Sequence, residues 1–156
     1  MKFDFLVCRS VDLSQGQLLD LNIGVLSSIE LVKYSLEQSP KLRCVIGTIC
    51  DKVDAKSLIL AIQKLRHLEE LHIIVKPIFK PNDLETIGIA CTMLKSFSYH
   101  NCVDFEADFK GFGEAIGKSM PNLLHLDLCV HGIGYKELEA ILDDRPHLKS
   151  LDLRRC

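Results

Sequence analysis

Leucine and other apolar residues recur along this chain in a short, regularly spaced frame. Six segments fit the pattern apolar-x-x-apolar-x-apolar, and their first leucines stand at positions 18, 42, 68, 94, 123 and 148. The predicted strands lie near residues 18–23, 42–47, 68–73, 94–99, 123–128 and 148–153. Within each segment the later apolar positions alternate with more polar ones, which predicts a strand with one buried face.

Between these strands, apolar residues recur at helical spacing, three or four positions apart. The predicted helices cover Ser28–Gln38, Asp54–Leu65, Asn82–Cys91, Phe105–Lys118 and Tyr135–Leu142. Asp54 and Asn82 are the expected N-caps of the second and third of these helices. Pro40, Pro121 and Pro146 each stand just ahead of the next strand, where a helix has to have ended because proline cannot continue it.

The order strand, turn, helix, loop therefore repeats at intervals of 24 to 29 residues. That frame and period are typical of leucine-rich repeats, in which each unit buries its apolar face against its neighbours. We expect an α/β leucine-rich-repeat solenoid, a right-handed β-α superhelix that forms part of a horseshoe. A parallel β-sheet is expected on the concave face and the helices on the convex face, in a single domain of about six repeats over residues 1–156.

In the leucine-rich frame, asparagine or cysteine is expected three residues after the last apolar position. Cysteine stands there in three of the six repeats. The residues at this position are Leu26, Cys50, Lys76, Cys102, His131 and Cys156. A small polar side chain there can pair with loop backbone that would otherwise be buried without a partner. We interpret these cysteines as structural. The chain has an odd number of cysteines, seven, with no CxxC pair and no Cys/His spacing of zinc-ligand type, and we expect reduced thiols inside a cell.

The net charge and the lengths of the apolar runs indicate which partners and which cellular compartment to expect. The formal net charge of −2 gives no basic surface for nucleic acid or for a membrane. The apolar stretch in residues 1–10 is too short for a signal peptide, and the run 58–62 is far below the roughly 20 residues of a membrane-spanning helix. We therefore expect a soluble protein of the cytoplasm and/or nucleus, with neither nucleic acid nor membrane as a partner.

Strand alternation also predicts which side chains point outward from the concave sheet. The candidate partner-binding residues are Asp20, Asn22, Glu70, His72, Ile74, Ser96, Ser98, His100, His125, Asp127, Asp152 and Arg154. The set mixes small polar groups, acids, histidines and an isoleucine, and it contains neither a basic stripe nor an aromatic stacking platform. This mixture favours a protein partner over a nucleic acid.

The histidines and aspartates of this face have side chains that can bind a metal or act in catalysis, but their positions on the strands argue against both roles. His72, His100 and His125 are out of register on their strands, so they cannot easily converge on one ion. Asp127 and Asp152 should lie side by side, but no cleft or companion base supports a glycosidase-like role. Solvated acids, or contacts to a basic residue of a partner, are the better interpretations. We expect no catalytic residue, cofactor or metal in a chain that is not an enzyme.

Several segments resemble the leucine-rich region of plant F-box/LRR proteins more closely than the leucine frame alone requires. They are CRSVDLSQGQLLDLNI at 8–23, ELVKYSLEQSPKLRCV at 30–45, KLRHLEELHI at 64–73, LETIGIACTMLKSF at 84–97, and MPNLLHLDL with ELEAILDDRPHLKSLDLRRC within 120–156. The resemblance implies the substrate-recognition part of an SCF-type E3 ubiquitin ligase. In that family an F-box docks on a Skp-type adaptor, the repeats hold the protein substrate, and other subunits catalyse ubiquitination.

The sequence departs from this family because only seven residues precede Cys8, where an F-box is expected some dozens of residues upstream. A Skp-type adaptor is therefore expected as a partner only if an F-box exists in a longer form. The alternative hypothesis is a ubiquitin-independent LRR scaffold or an inhibitor of another protein. The sixth strand has no capping helix after it, so self-association through the uncapped C-terminal edge is a further hypothesis.

Overall fold

The computed structural model describes residues 2–26, 28–49, 54–76, 78–101 and 108–154, in which strands and helices alternate. The strands are β1 (Asp20–Leu26), β2 (Cys44–Ile49), β3 (Glu70–Val75), β4 (Ser96–Asn101), β5 (His125–Cys129) and β6 (Ser150–Asp152). The helices are α1 (Lys2–Leu13), α2 (Ile29–Glu37), α3 (Ala55–Ile62), α4 (Pro81–Ala90), α5 (Phe112–Ser119) and α6 (Tyr135–Asp144). The strands form one sheet in chain order, each pairing parallel with the next, which confirms the predicted α/β architecture.

Each strand begins two residues later than the leucine frame predicts. The first leucine of the frame belongs instead to the turn before the strand. From the second repeat onward its N–H donates to the carbonyl three residues earlier, at 3.1–3.3 Å. Leu42, Leu68, Leu94 and Leu123 are nevertheless at most 1% exposed. The frame therefore marks burial correctly but not the start of the strand, because a turn residue can reach the core as well as a strand residue can.

Helix α1 is an element that the sequence pattern does not predict. It lies beside α2 in the helical layer, where Val11 is buried. The Tyr34 hydroxyl of α2 donates a hydrogen bond to the Asp12 carboxylate of α1. That hydrogen bond, with smaller effects of burial and charge, raises the pKa of Tyr34. The first repeat thus has a helical neighbour on its outer side, although β1 has no strand neighbour there among the described residues.

The helix ends show which capping predictions hold. Asp54 caps α3 as predicted, because its carboxylate accepts from two backbone N–H groups of the first turn at 3.3 and 3.1 Å. Asn82 is not a cap; it lies inside α4, which begins at Pro81 after the N-cap residue Lys80. The backbone N–H of Lys80 donates to the Asp83 carboxylate at 2.7 Å. The capping hydrogen bond is therefore made by an acid of the first turn rather than by an Asn82 side chain.

Helix α5 is shorter than predicted. The predicted helix starts at Phe105, which lies outside the described residues, whereas α5 starts at Phe112. Gly111 precedes it with φ of 86°, a left-handed conformation that residues other than glycine rarely adopt. The Glu137 carboxylate of α6 accepts from the backbone N–H groups of Gly111 and Gly113 at 3.0 and 2.7 Å. These amides have no partner within their own helix, so α6 completes the N-terminus of α5.

The core is one continuous cluster between the sheet and the helices, aliphatic except around the fourth repeat. There Tyr99 stacks on Phe79 with ring centroids 5.0 Å apart and lies 5.8 Å from the ring of Phe112. Its hydroxyl accepts a hydrogen bond from the backbone N–H of Phe79 at 3.1 Å. Burial raises the pKa of Tyr99 to about 12, so this phenol stays neutral and serves the packing of the core.

The polar turn position of the fourth repeat is filled by Asn101, one residue earlier than the frame predicts. Its side-chain amide is buried and donates to the carbonyls of Val75 and Lys76 at 3.2 and 3.1 Å. It thereby satisfies backbone of the preceding turn, the role expected of the cysteines. The predicted Cys50, Cys102 and Cys156, and the side chain of Leu26, lie outside the described residues.

Candidate functional site on the concave face

The strand register arranges the outward side chains of the sheet in three rows that cross the strands. The lower row contains Asp20, Cys44, Glu70, Ser96, His125 and Ser150. The middle row contains Asn22, Ile46, His72, Ser98, Asp127 and Asp152. The upper row contains Thr48, Ile74, His100 and Cys129. All the predicted partner-binding residues lie in these rows except Arg154, which follows β6.

Ser98 and Cys129 are the two members of the rows that are buried. The Ser98 hydroxyl donates to Asp127 Oδ2 at 3.3 Å, and only 7% of this residue is exposed. In the free chain, neighbours cover Ser98 and it positions Asp127, so its contact with a partner stays a prediction. Cys129 is disulfide-bonded, which corrects the prediction of reduced thiols at this residue, whereas Cys8, Cys44 and Cys91 are free.

Asp127 has more contacts than its neighbours on this face. Its Oδ2 lies 2.9 Å from His100 Nε2, 3.3 Å from the Ser98 hydroxyl and 4.0 Å from the guanidinium of Arg154. Its Oδ1 is shielded and has no hydrogen-bond partner among the described residues. A carboxylate offers about four acceptor positions over its two oxygens. The unfilled acceptor capacity of Asp127 is therefore on its shielded oxygen, whereas Oδ2 carries the contacts to His100 and Ser98.

A second cluster surrounds Glu70 in the lower and middle rows. The imidazole Nε2 of His72 lies 3.7 Å from Glu70 Oε2 and 3.4 Å from the Ser96 hydroxyl. The thiol of Cys44 donates to the same Glu70 oxygen at 3.8 Å. Burial, followed by the charges of Glu70 and Asp20, raises the pKa of Cys44. The thiol is thus kept in its protonated form, which is a poor nucleophile and a poor metal ligand.

The three histidines are as dispersed as the sequence predicts. His72 lies in the middle row, His100 in the upper row and His125 in the lower row, where its Nδ1 is 2.8 Å from the Ser150 hydroxyl. Within the described ranges, no three or more His, Cys, Asp or Glu side chains are grouped so as to hold a metal ion. In that same part of the chain, no helix has the length and apolar character needed to span a bilayer.

A depression of about 400 Å³ opens between β3 and β6 on this face. Its polar lining comes from His72, Ser96, His125, Asp127, Ser150 and Asp152, and its apolar lining from Phe97, Leu126 and Leu151. We call it the Asp127 depression. Arg154 stands beside it, because its Nε lies 3.0 Å from the carboxylate of Asp152. The depression is the part of the concave face where carboxylate, imidazole and hydroxyl groups meet.

A ladder of charged residues crosses the repeats just before the strands, and the leucine frame does not predict it. Glu69 accepts from the guanidinium of Arg43 and, at 2.8 Å, from the ammonium of Lys95. The hydrogen bond from Lys95, then that from Arg43, holds the pKa of Glu69 below its usual value. The signal was present as alternating charges at the same position of three successive repeats. These contacts fix neighbouring repeats at the lower edge of the face.

The parallel sheet in chain order, with helices alternating with the strands and a leucine turn before the strands, defines a leucine-rich-repeat solenoid. The C-terminal domain of tropomodulin from Caenorhabditis elegans shares this fold. The two structures superpose with a TM-score of 0.59 over 92% of each chain at 12% sequence identity.

Sequence similarity links the chain to curated F-box proteins of a plant. Putative F-box/LRR-repeat protein 9 of Arabidopsis thaliana is 36% identical over 97% of this chain and 61% of its own length. Putative F-box/LRR-repeat protein 22 and F-box protein SKIP19 of the same plant are 38% and 34% identical, each over 49% of its own length. Over nearly its whole length the chain is similar to plant F-box/LRR-repeat proteins, and it spans about half the length of the curated relatives it matches. No protein-family model matches it.

Proposed function

We propose that the chain binds a protein on its concave face as the substrate-recognition part of an SCF-type E3 ubiquitin ligase of the F-box/LRR kind. The bound protein is then ubiquitinated by other subunits and degraded by the proteasome. The observation that carries the proposal is the three-row polar surface of the sheet, in a chain whose relatives are F-box/LRR-repeat proteins.

The dimensions and chemistry of this surface suit a protein. Six strands spaced about 4.8 Å apart give a face roughly 24 Å wide. Exposed aliphatic side chains, Ile46 and Ile74, lie among charged and hydroxyl groups. Protein interfaces commonly have this combination of an apolar centre and a polar rim.

The link to ubiquitination has a separate support, which is the relationship to F-box proteins. In this proposal a Skp-type adaptor is a partner only of a longer form that carries an F-box, and the complex works in the cytoplasm or nucleus. The runner-up is a ubiquitin-independent scaffold or inhibitor that uses the same concave face.

Affinity capture from a plant extract tests the binding face. The bait is the full chain, compared with a His72→Ala/His100→Ala variant and with a matched control, His67→Ala, whose exposed histidine precedes β3. We expect the captured protein to be retained by the control and to fall about tenfold or more with the concave variant. Equal retention by all three baits would place the binding surface elsewhere.

Reconstitution tests the ubiquitin link. The chain alone should not bind the Skp-type adaptor, whereas the chain fused to an F-box should bind it and direct ubiquitination of the captured protein by cullin and RING subunits. A captured protein that binds the fusion on the concave face but is never ubiquitinated would favour the alternative hypothesis of a scaffold or inhibitor.

A further inference from the structure

We propose that the concave face recognises a segment of the partner in which a lysine or arginine lies about four residues from an aliphatic residue. The cation occupies the Asp127 depression, and the aliphatic side chain packs on Ile46 and Ile74. The inference rests on the proposed function, because it specifies the chemistry of the protein that the concave face binds.

The charge of the depression favours a cation. Asp127 and Asp152 are paired in register on β5 and β6, and their side chains are 28% and 43% exposed. The described residues of the three rows include four carboxylates and no lysine or arginine, and the adjacent Arg154 supplies one guanidinium. The carboxylates are those of Asp20, Glu70, Asp127 and Asp152. A partner that brings a positive charge to this end of the face is therefore complementary to it.

Arg154 does not block the depression to such a partner. Its side chain is 72% exposed, and exposed ion pairs of this kind contribute little because water screens the two charges. A cation from the partner can displace it from Asp127, which it approaches only to 4.0 Å. The hydroxyl oxygens of Ser96 and Ser150 add acceptors in the same depression. Lysine and arginine carry several N–H donors on one head, so they can use the carboxylates and hydroxyls together.

The aliphatic contact lies on the same face of the sheet as this depression, toward β2 and β3. Ile46 and Ile74 are 39% and 36% exposed and lie on neighbouring strands, one row apart. Diagonal neighbours of this kind are about 7–8 Å apart, close enough for one aliphatic side chain to touch both. They form an apolar patch among polar neighbours, which suits a single Leu, Ile, Val or Met of a partner.

The register fixes the distance between the two contacts. Ile46 and Asp127 lie in the same row, separated by three strand spacings, or about 14 Å. An extended chain advances about 3.3 Å per residue, so a segment laid across the strands covers this distance in about four residues. The spacing between the basic and the aliphatic residue is therefore a consequence of the sheet.

The test is selection of a displayed library of random twelve-residue peptides on the full chain. We expect the selected sequences to be enriched in Lys or Arg about four residues from an aliphatic residue. Synthetic copies, measured by fluorescence anisotropy, should bind Asp127→Asn and Asp152→Asn about tenfold or more weakly. Arg154→Gln should bind them more tightly, because it removes the competing cation. Asp143→Asn, which removes an exposed acid from α6, is the control for net charge and should change affinity little.

The outcomes separate this inference from the proposed function. Selected peptides that lack a basic residue, yet lose affinity with Ile74→Ser, would overturn the cation site and leave the concave face as the binding surface. An equal loss of peptide affinity with Asp143→Asn would show that the effect comes from the net charge of the chain, and it would overturn the inference. Peptides indifferent to every concave variant would overturn both. Thermal unfolding of each variant shows whether weaker binding reflects lost contacts or a destabilised fold. Asp152→Asn keeps the cation site testable if Asp127→Asn does not fold.

Discussion

At the scale of single residues, burial separates positions that the leucine frame treats as equal. Leu71 and Leu126 are at most 1% exposed, with a neighbouring strand on both sides. Leu151 packs against the same core but is only partly buried on β6. The frame alone predicts the same cost of truncation for all three, whereas the structure ranks them.

We expect Leu71→Ala and Leu126→Ala to lower the free energy of unfolding by about 2–5 kcal/mol, because each opens a cavity in a packed layer. Leu151→Ala should cost less than either, since solvent already reaches part of its side chain. Urea unfolding followed by circular dichroism gives the three values. An equal loss at all three positions would contradict the ranking.

The ion pairs of Glu69 predict a pH dependence. Its pKa is lowered in the folded chain by Lys95 and Arg43, so the stabilisation is fully present above the ordinary glutamate pKa of about 4.3. It is lost as the pH falls through the lowered folded pKa. Glu69→Gln should therefore be less stable than wild type near neutral pH, and the difference should shrink in acid. Unfolding curves over a series of pH values test this, and a difference that grows in acid would contradict it.

The sequence predicts outward-facing positions well but not which of them a neighbour covers. Alternation identifies Asp127 and Ser98 as members of the same face, because strand direction is local information. That the Asp127 carboxylate pairs with both Ser98 and His100 depends on side-chain rotamers on two neighbouring strands, which no single segment encodes. Asn101 was missed for a related reason: its carbonyl partners belong to the preceding repeat, 25 and 26 residues away.

At the scale of elements, the helices α5 and α6 pack more closely than their sequences suggest. A Cβ built on Gly113 would overlap the backbone carbonyl of Glu137. Gly47 in β2 differs, because a Cβ there would meet its nearest atom, the Ile23 carbonyl oxygen, at an ordinary 3.8 Å. The glycine is thus required at one position and merely tolerated at the other.

This pair gives a matched prediction. Gly113→Ala should destabilise the chain by about 2 kcal/mol or more, because the clash is with backbone and α5 has to move away from Glu137. Gly47→Ala should stabilise it by about 0.5–1 kcal/mol, since alanine loses less conformational freedom in a strand. Thermal and urea unfolding check both variants. Similar effects of the two substitutions would show that the close approach of the helices is unimportant.

The sequence predicts elements best where one period repeats, and less well where the chain departs from it. Five helices have counterparts in the hydrophobic spacing, yet α1 has none because it precedes the first leucine turn. The predicted start of α5 at Phe105 followed apolar spacing alone. Apolar spacing does not register the left-handed Gly111 after which α5 begins, or the capping carboxylate supplied by the following repeat.

At the scale of the whole molecule, stability should vary from repeat to repeat. In a solenoid each unit contacts its neighbours only, so inner units have two stabilising interfaces and outer units have one. β3 and β4 lie between other strands and contribute the fully buried Leu71, Phe97 and Tyr99. β6 has three residues and no fully buried one.

We expect amide hydrogen exchange to be slowest in β3 and β4 and fastest in β6, because opening of an outer repeat disrupts a single interface. Mass-spectrometric exchange on the intact chain measures this gradient. Uniform protection from β1 to β6 would indicate that the repeats unfold as one unit.

Self-association through the C-terminal edge stays a prediction. The described residues show no strand beside the outer edge of β6, where Leu151 and Leu153 are only partly buried. Sedimentation velocity over a wide range of concentrations tests it, with a rising average mass expected. A monomer at every concentration would contradict the hypothesis.

Because the rows cross the strands, the number of repeats between two contacts on the concave face sets the distance between them. Each strand adds one step of about 4.8 Å along every row. Removing the repeat that contains β4 would bring Asp127 one step nearer to Ile46, and it would shorten the preferred interval in a bound segment from about four residues to about three. Relatives that gain or lose a repeat between these two contacts would thereby change partners without altering any residue that touches them.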